Sequence, residues 1–219
     1  MGYPWHWEQI PPYLPLFITA LGRTLLISLW SIIFGTALGL VIGVMRVQRK
    51  GVFASASLAY VEVMRNIPLM LVIFLTYFGV GYIYPMSGLW ASIISLSIFE
   101  AAYIAEIVRA GIQSIEKGQL EASRSLGMSY FQSLRFVVLP QAVRRIIPPL
   151  TGQFVSLIKD SSLASLVSYQ ELMLVGRQIN SRIFRPFEVF LTIGVLYFSI
   201  CFLLSLLSRY EERRLAISE

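Results

Sequence analysis

The sequence predicts an all-α integral membrane protein with five transmembrane helices, N-terminus outside and C-terminus in the cytoplasm. Three observations lead there. Hydrophobic residues make up 56% of the 219 residues and charged residues only 14%, against about 25% charged in a typical soluble domain. The mean hydropathy is +0.69, and 14 Phe, 11 Tyr and 4 Trp add more apolar area than a soluble domain this small can hide. Finally, the Lys and Arg residues collect in alternate loops. The length suits one domain, taken here as 1–219.

The elements follow from the uncharged runs. Residues 1–21 read as an outer-face interfacial segment, because Tyr3, Trp5, Trp7 and Tyr13 mix with Pro11, Pro12 and Pro15. Arg23 and Arg46 bracket 22 uncharged residues, Thr24 to Met45, enough to cross a hydrocarbon core of about 30 Å. The next uncharged run, Asn66 to Phe99, has 34 residues and a turn at Pro85-Met86-Ser87-Gly88. It gives a second helix from about Leu58 to Tyr82 and a third from about Leu89 to Ile112. A fourth apolar stretch starts near Ile146 and is interrupted by Lys159-Asp160; the fifth is Val189 to Ser208.

Orientation follows from where positive charge is retained. Arg46, Arg49 and Lys50 fill the first loop, five basic residues from Lys117 to Arg145 the long one, and Arg209, Arg213 and Arg214 the tail. The turn at 83–88 carries no charge, and the 171–188 loop nets only +1 (Arg177, Arg182 and Arg185 against Glu171 and Glu188). The net charge of +6 therefore reports basic cytoplasmic loops rather than nucleic acid. No cleavable signal peptide is expected, and Met1-Gly2 does not fit a myristoylation signal, since His6 stands where Ser or Thr belongs.

Composition also narrows the chemistry. One cysteine, Cys201, excludes a disulfide framework and a cysteine-built metal site; one histidine, His6, argues against a zinc site or Ser-His-Asp catalysis. No G-x-x-x-x-G-K-[ST] loop is present, so the chain does not hydrolyse nucleotide itself. Neither an enzyme nor a metal or cofactor of its own is expected.

The 117–145 segment is too polar to span and too patterned to be disordered. Gly118 to Leu126 reads as a short helix closed by Gly127 in the left-handed conformation. Ser129 and Gln132 have capping-box spacing and open a second helix, which Pro140 limits or bends. Two short helices joined by a glycine make a protruding knob.

Here the sequence resembles a family. Glu121-Ala122-Ser123, Gly127 six residues after the Glu, and Val137-x-Leu139-Pro140 resemble the E-A-A…G…I-x-L-P loop of bacterial ABC importer permeases. Gly22-Arg23-Thr24-Leu25, Arg65-Asn66-Ile67-Pro68-Leu69, the run from Ala101 to Gly111 and Leu157-Ile158-Lys159-Asp160-Ser161-Ser162-Leu163 resemble the polar amino acid uptake branch. Ser123 and Val137 are mild departures from Ala and Ile. The resemblance implies the type I ABC importer permease fold in the bacterial inner membrane. It also implies a complex of two permeases and two ATPase subunits, with ATP and Mg bound by the ATPases, fed by an extracytoplasmic amino acid binding protein. The 117–140 loop would be the cytoplasmic coupling loop, with Glu121, Ala122, Ser123, Arg124, Leu126 and Gly127 docking on the ATPase; the small residues allow close approach and Arg124 reaches a partner carboxylate or carbonyl.

Charges inside the spans complete the reading. Gly35, Gly39 and Gly43 at i, i+4, i+8 form a close-packing face, within the subunit or across a dimer of permeases. Glu106 with Arg109 and Glu62 with Arg65, each at i, i+3, read as local ion pairs. Glu100 has no compensating neighbour at mid-span, where a charge costs about 2.5–3.5 kcal/mol. With Lys159, Asp160, Ser161 and Ser162 it reads as a substrate site for a zwitterion, or else as a buried Glu100–Lys159 bridge. Two acids against one base favour a cationic substrate. Phe99-Glu100-Ala101-Ala102-Tyr103, however, resembles permeases for glutamate and aspartate, which favours an acidic or broadly polar amino acid. A stand-alone secondary transporter or channel is the competing function; the lack of internal repeats argues against it.

Overall fold

The structure is a computed structural model that describes residues 3–47 and 51–216, the side chains of Ser208 and 211–216 excepted. The expectations for Met1-Gly2, Arg49-Lys50 and the side chains of Arg213 and Arg214 lie outside those residues. Two short 3₁₀ turns, Trp7–Gln9 and Pro11–Tyr13, lead into helix α1, Leu14–Val47. The helix thus begins inside the expected 1–21 segment, because Leu14 to Gly22 continues the apolar run without a breaker beyond Pro15 at the helix start.

Helix α1 has two faces. Leu29, Ile33 and Val41 point outward, while Thr24, Ser28, Ser31, Gly35, Gly39 and Gly43 are buried. The glycines lie against α4, Gly88–Gln113, so the stripe packs within the subunit. A Cβ at Gly39 would stand 2.7 Å from the Ile104 Cβ, and one at Gly43 2.7 Å from the Val108 Cβ. Only glycine lets the two backbones approach this closely.

The second span is not the straight helix expected. Helices α2, Val52–Asn66, and α3, Leu69–Ile83, meet at 107°. Pro68 lacks the N–H that would continue α2, and it holds Ile67 extended (φ −108°, ψ 147°). Among the described residues, three helical runs are long and apolar enough to cross a membrane: Trp7–Val47, Gly88–Gln113 and Pro186–Leu207; the bent pair makes a fourth if it is one span.

After α4 comes the knob: α5, Lys117–Ser125, and α6, Tyr130–Ser133. A π turn, Leu134–Val138, leads into α7, Leu139–Asp160. Pro140 occupies the first turn of α7, where a missing N–H costs nothing, so the fourth helix starts seven residues earlier than the apolar stretch near Ile146. Lys159-Asp160 close α7, and the chain continues as a 3₁₀ segment, Ser161–Val167. Helix α8, Leu172–Ile183, lies where a loop was expected; the Glu171 carboxylate caps it, accepting from the Met173 and Leu174 N–H groups at 2.7 Å each. Helix α9, Pro186–Ala216, completes the chain.

Candidate functional site

Glu100 lies midway along α4 and is 2% exposed. Gly35 makes room for it: a Cβ there would come within 3.1 Å of the Glu100 Cβ. The Gln153 amide on α7 donates from Nε2 to Glu100 Oε2 at 3.2 Å. The other carboxylate oxygen, Oε1, is buried and accepts no hydrogen bond among the described residues. Buried acceptors in folded proteins nearly always have a partner, which makes Glu100 a candidate site residue.

Asp160 is half-buried on α7 and close enough for its charge to oppose that of Glu100. Gln153 and Asp160 are seven residues apart, two helical turns, and so share the face of α7 turned towards Glu100. Lys159 is exposed and acts on Asp160 and on Cys201 of α9 instead. The alternative Glu100–Lys159 bridge is not formed among the described residues. Ser161 is fully buried and its hydroxyl donates to the Ile158 carbonyl at 2.7 Å, while Ser162 is half-buried. The structure therefore bonds Glu100 to Gln153 and sets Asp160 within electrostatic reach of it, with Lys159 turned aside. Gln153 escaped the sequence reading because it is uncharged; its i, i+7 spacing from Asp160 was the available signal.

The expected ion pairs fare differently. Glu106 pairs with Arg109 at 2.5 Å, and also with Arg46 of α1 at 2.8 Å, which clamps α1 to α4. Glu62 and Arg65 are not within ion-pair distance; the Arg65 guanidinium instead lies 5.5 Å from the centre of the Tyr103 ring. Both Glu62 and Arg65 are exposed at the end of α2, where water screens their attraction and the ring offers an apolar contact.

The knob follows its local signals. Gly127 has φ +85°, its N–H donates to the Arg124 carbonyl at 3.0 Å, and the Met128 N–H reaches the Ser123 carbonyl at 3.3 Å. This is a complete Schellman closure. Ser129 and Gln132 form both bonds of the capping box. Glu121, Ala122, Arg124, Leu126 and Gly127 face outward. Ser123 does not: it is 4% exposed and its hydroxyl donates to the Leu120 carbonyl. Leu126 is 84% and Phe131 80% exposed, so the outer surface is more apolar than the loop pattern alone implied.

A helical membrane protein with a close-packed glycine seam, a buried carboxylate between two helices and an exposed knob belongs to the transport class. Residues 32–217 match the family model described as "Binding-protein-dependent transport system inner membrane component", and the chain belongs to this family. It is 41% identical to the "Probable glutamine ABC transporter permease protein GlnP" of Bacillus subtilis, over 87% of this chain and 89% of the relative. It is 36% identical to the "Glutamate/aspartate import permease protein GltK" of Escherichia coli O6:H1, over 98% and 100%. Among solved structures, "Crystal structure of an amino acid ABC transporter with histidines" superposes with a TM-score of 0.91 at 33% identity, covering 97% of this chain and 100% of that one. The protein is thus a polar amino acid ABC importer permease of the inner membrane; it is not an enzyme, and ATP hydrolysis resides in a separate subunit.

Proposed function

We propose that this permease passes polar α-amino acids between α4 and α7, with Glu100 and Asp160 receiving the substrate ammonium. The observation that carries this reading is the buried, unpartnered Oε1 of Glu100 beside Asp160. An ammonium supplies the missing donor and relieves the repulsion between the two acids. Ser162 faces the carboxylate end, Ser161 shapes the wall, and Lys159, turned aside, takes no part in holding the substrate. The named substrates of the relatives support glutamine or glutamate and aspartate; the acid pair, unbridged by Lys159, supports a cationic amino acid as the second reading.

In this reading five spans (α1, the bent α2–α3 pair, α4, α7 and α9) run N-out and C-in. The 121–140 loop docks through Glu121, Ala122, Arg124, Leu126 and Gly127 on one of two ATPase subunits. A second permease copy or a paralogue completes the pathway, and an extracytoplasmic binding protein delivers the substrate. An impermeant thiol reagent should label a cysteine placed at Ser87 from outside and not one placed at Ser125; the reverse pattern overturns the orientation. For the site, Glu100→Gln in the reconstituted complex should preserve assembly with the ATPase but lower uptake or change the preference among glutamine, glutamate and arginine. Unchanged uptake of all three sinks the site.

A further inference from the structure

Tyr197 of α9 is half-buried at a junction of four elements. Its hydroxyl donates to Glu171 Oε2 at 3.0 Å. The same hydroxyl is in hydrogen-bonding contact with the side chains of Thr24 on α1 and Ser161, which caps the end of α7. Thr24 in turn accepts from the Leu172 N–H at 3.1 Å. One phenol oxygen thus touches α1, the end of α7 and the cap of α8. Cys201, one helical turn further along α9, feels the charge of Lys159. This face of α9 therefore meets the point where α7 ends.

Capping alone does not require the phenol. The Glu171 carboxylate is fully buried, and the Met173 and Leu174 N–H groups already give each of its oxygens a donor. Phenylalanine would fill the same space and leave the cap closed. What the hydroxyl adds is a link from the cap back to Ser161, across the 3₁₀ segment Ser161–Val167 and the left-handed turn at Ser168 (φ +60°). A 3₁₀ segment of seven residues has poor hydrogen-bond geometry of its own. Tying Ser161 and Glu171 to one atom fixes where that segment starts, and it starts at the residue after Asp160.

We propose that Tyr197 is a positioning residue for substrate selection: through Ser161 it fixes Asp160 against Glu100, and so sets the spacing of the two carboxylates that meet the substrate ammonium. It does not touch the substrate. Its work is that of a supporting group, whose own bonds keep a binding site in productive geometry. This role rests on the Glu100–Asp160 site proposed above, which Glu100→Gln tests separately.

The test measures relative uptake of glutamine, glutamate and arginine by the reconstituted complex with its binding protein. Tyr197→Phe should shift that preference several-fold, while helical content, assembly with the ATPase and melting temperature stay close to parental. Ser161→Ala removes the other end of the link and should shift it in the same direction. The double variant should match either single one, because both cut one connection. Additive shifts mean that the two side chains act separately, and they overturn the proposal. So does an unchanged preference in Tyr197→Phe where Glu100→Gln alters it, which leaves the site standing without the phenol. Lost assembly or a lower melting temperature, with residual uptake keeping the parental preference, marks a purely structural phenol and overturns it too. If Glu100→Gln is silent as well, the site itself fails and Tyr197 falls with it.

Discussion

The knob and the buried carboxylate site are built on opposite plans. In the knob the bonds that close and open its helices span only a few residues: Gly127 to Arg124, Met128 to Ser123, Ser129 to Gln132. Among what it leaves exposed are two large apolar side chains, Leu126 and Phe131. In the site the partners come from far apart, Gly35, Glu100, Gln153 and Asp160, and what is left unsatisfied is a buried polar atom. A surface rich in exposed apolar groups matches a protein partner, whereas a buried unpaired acceptor matches a small polar ligand. The two regions are therefore incomplete in different ways, and substitutions should separate them.

The largest stability effect is expected where α1 meets α4. Gly39→Val places side-chain atoms where Ile104 already stands, and overpacking of this kind costs about 1–3 kcal/mol, occasionally more. Gly22→Ala, on the same helix with nothing within 4 Å, should leave the melting temperature in detergent unchanged or slightly raised. Equal effects of the two would dissolve the distinction between seam and lipid face.

Next comes the site itself. Gln153→Leu leaves both Glu100 oxygens without a donor, a loss of about 1–3 kcal/mol in thermal stability. Adding Glu100→Gln should recover most of it, because the buried charge is gone. A double variant as unstable as the sum of the single ones would mean that the two residues do not act on each other.

At the knob the effect should be functional rather than global. Gly127→Val forces a β-branched residue to φ +85°, a local strain of about 1–3 kcal/mol in otherwise open space. Uptake and ATPase coupling should collapse while the melting temperature of the spans stays put. Gly127→Asn, tolerant of that backbone region, should retain much of the activity.

The smallest effect is expected from Ser129→Ala, which removes one capping bond worth about 1 kcal/mol. Faster amide exchange over 129–133 should be its only trace, and protection loss spreading into α7 would show that knob and span are one cooperative unit.

The same contrast explains what the sequence made legible. Gly127 and the Ser129–Gln132 pair act locally, so pattern alone placed both ends of α5 and the start of α6 to within a residue, whereas the second helix gives way to a π turn at Leu134 and not at Pro140. The uncharged runs gave α1, α4 and α9 for the same reason. Pro68 was visible, but a 34-residue apolar run outweighed it, and the 107° elbow depends on packing that the run does not encode. Helix α8 was hidden because its charges read as a loop, although Glu171 before an apolar series has the form of a cap. At the site, Glu100 stood out by its charge alone. Lys159 and Asp160 could not both face it, since neighbouring helical residues point about 100° apart, but only the fold decided that Asp160 does.

The elbow at Pro68 also bears on how the chain is made. Helices α2 and α3 contain 15 residues each between Val52 and Ile83, about 22 Å of helix apiece at ~1.5 Å per residue. Neither reaches across about 30 Å of hydrocarbon unaided. Stable insertion of this stretch must then wait for α4, whose buried face closes against α1. In a nascent chain cut after Ile83, held by its first span, the 52–83 stretch should stay open to added protease, and in one cut after Gln113 it should be protected. Pro68→Ala, by straightening the elbow, should let the shorter chain insert early and leave the finished protein with a span that no longer fits its neighbours.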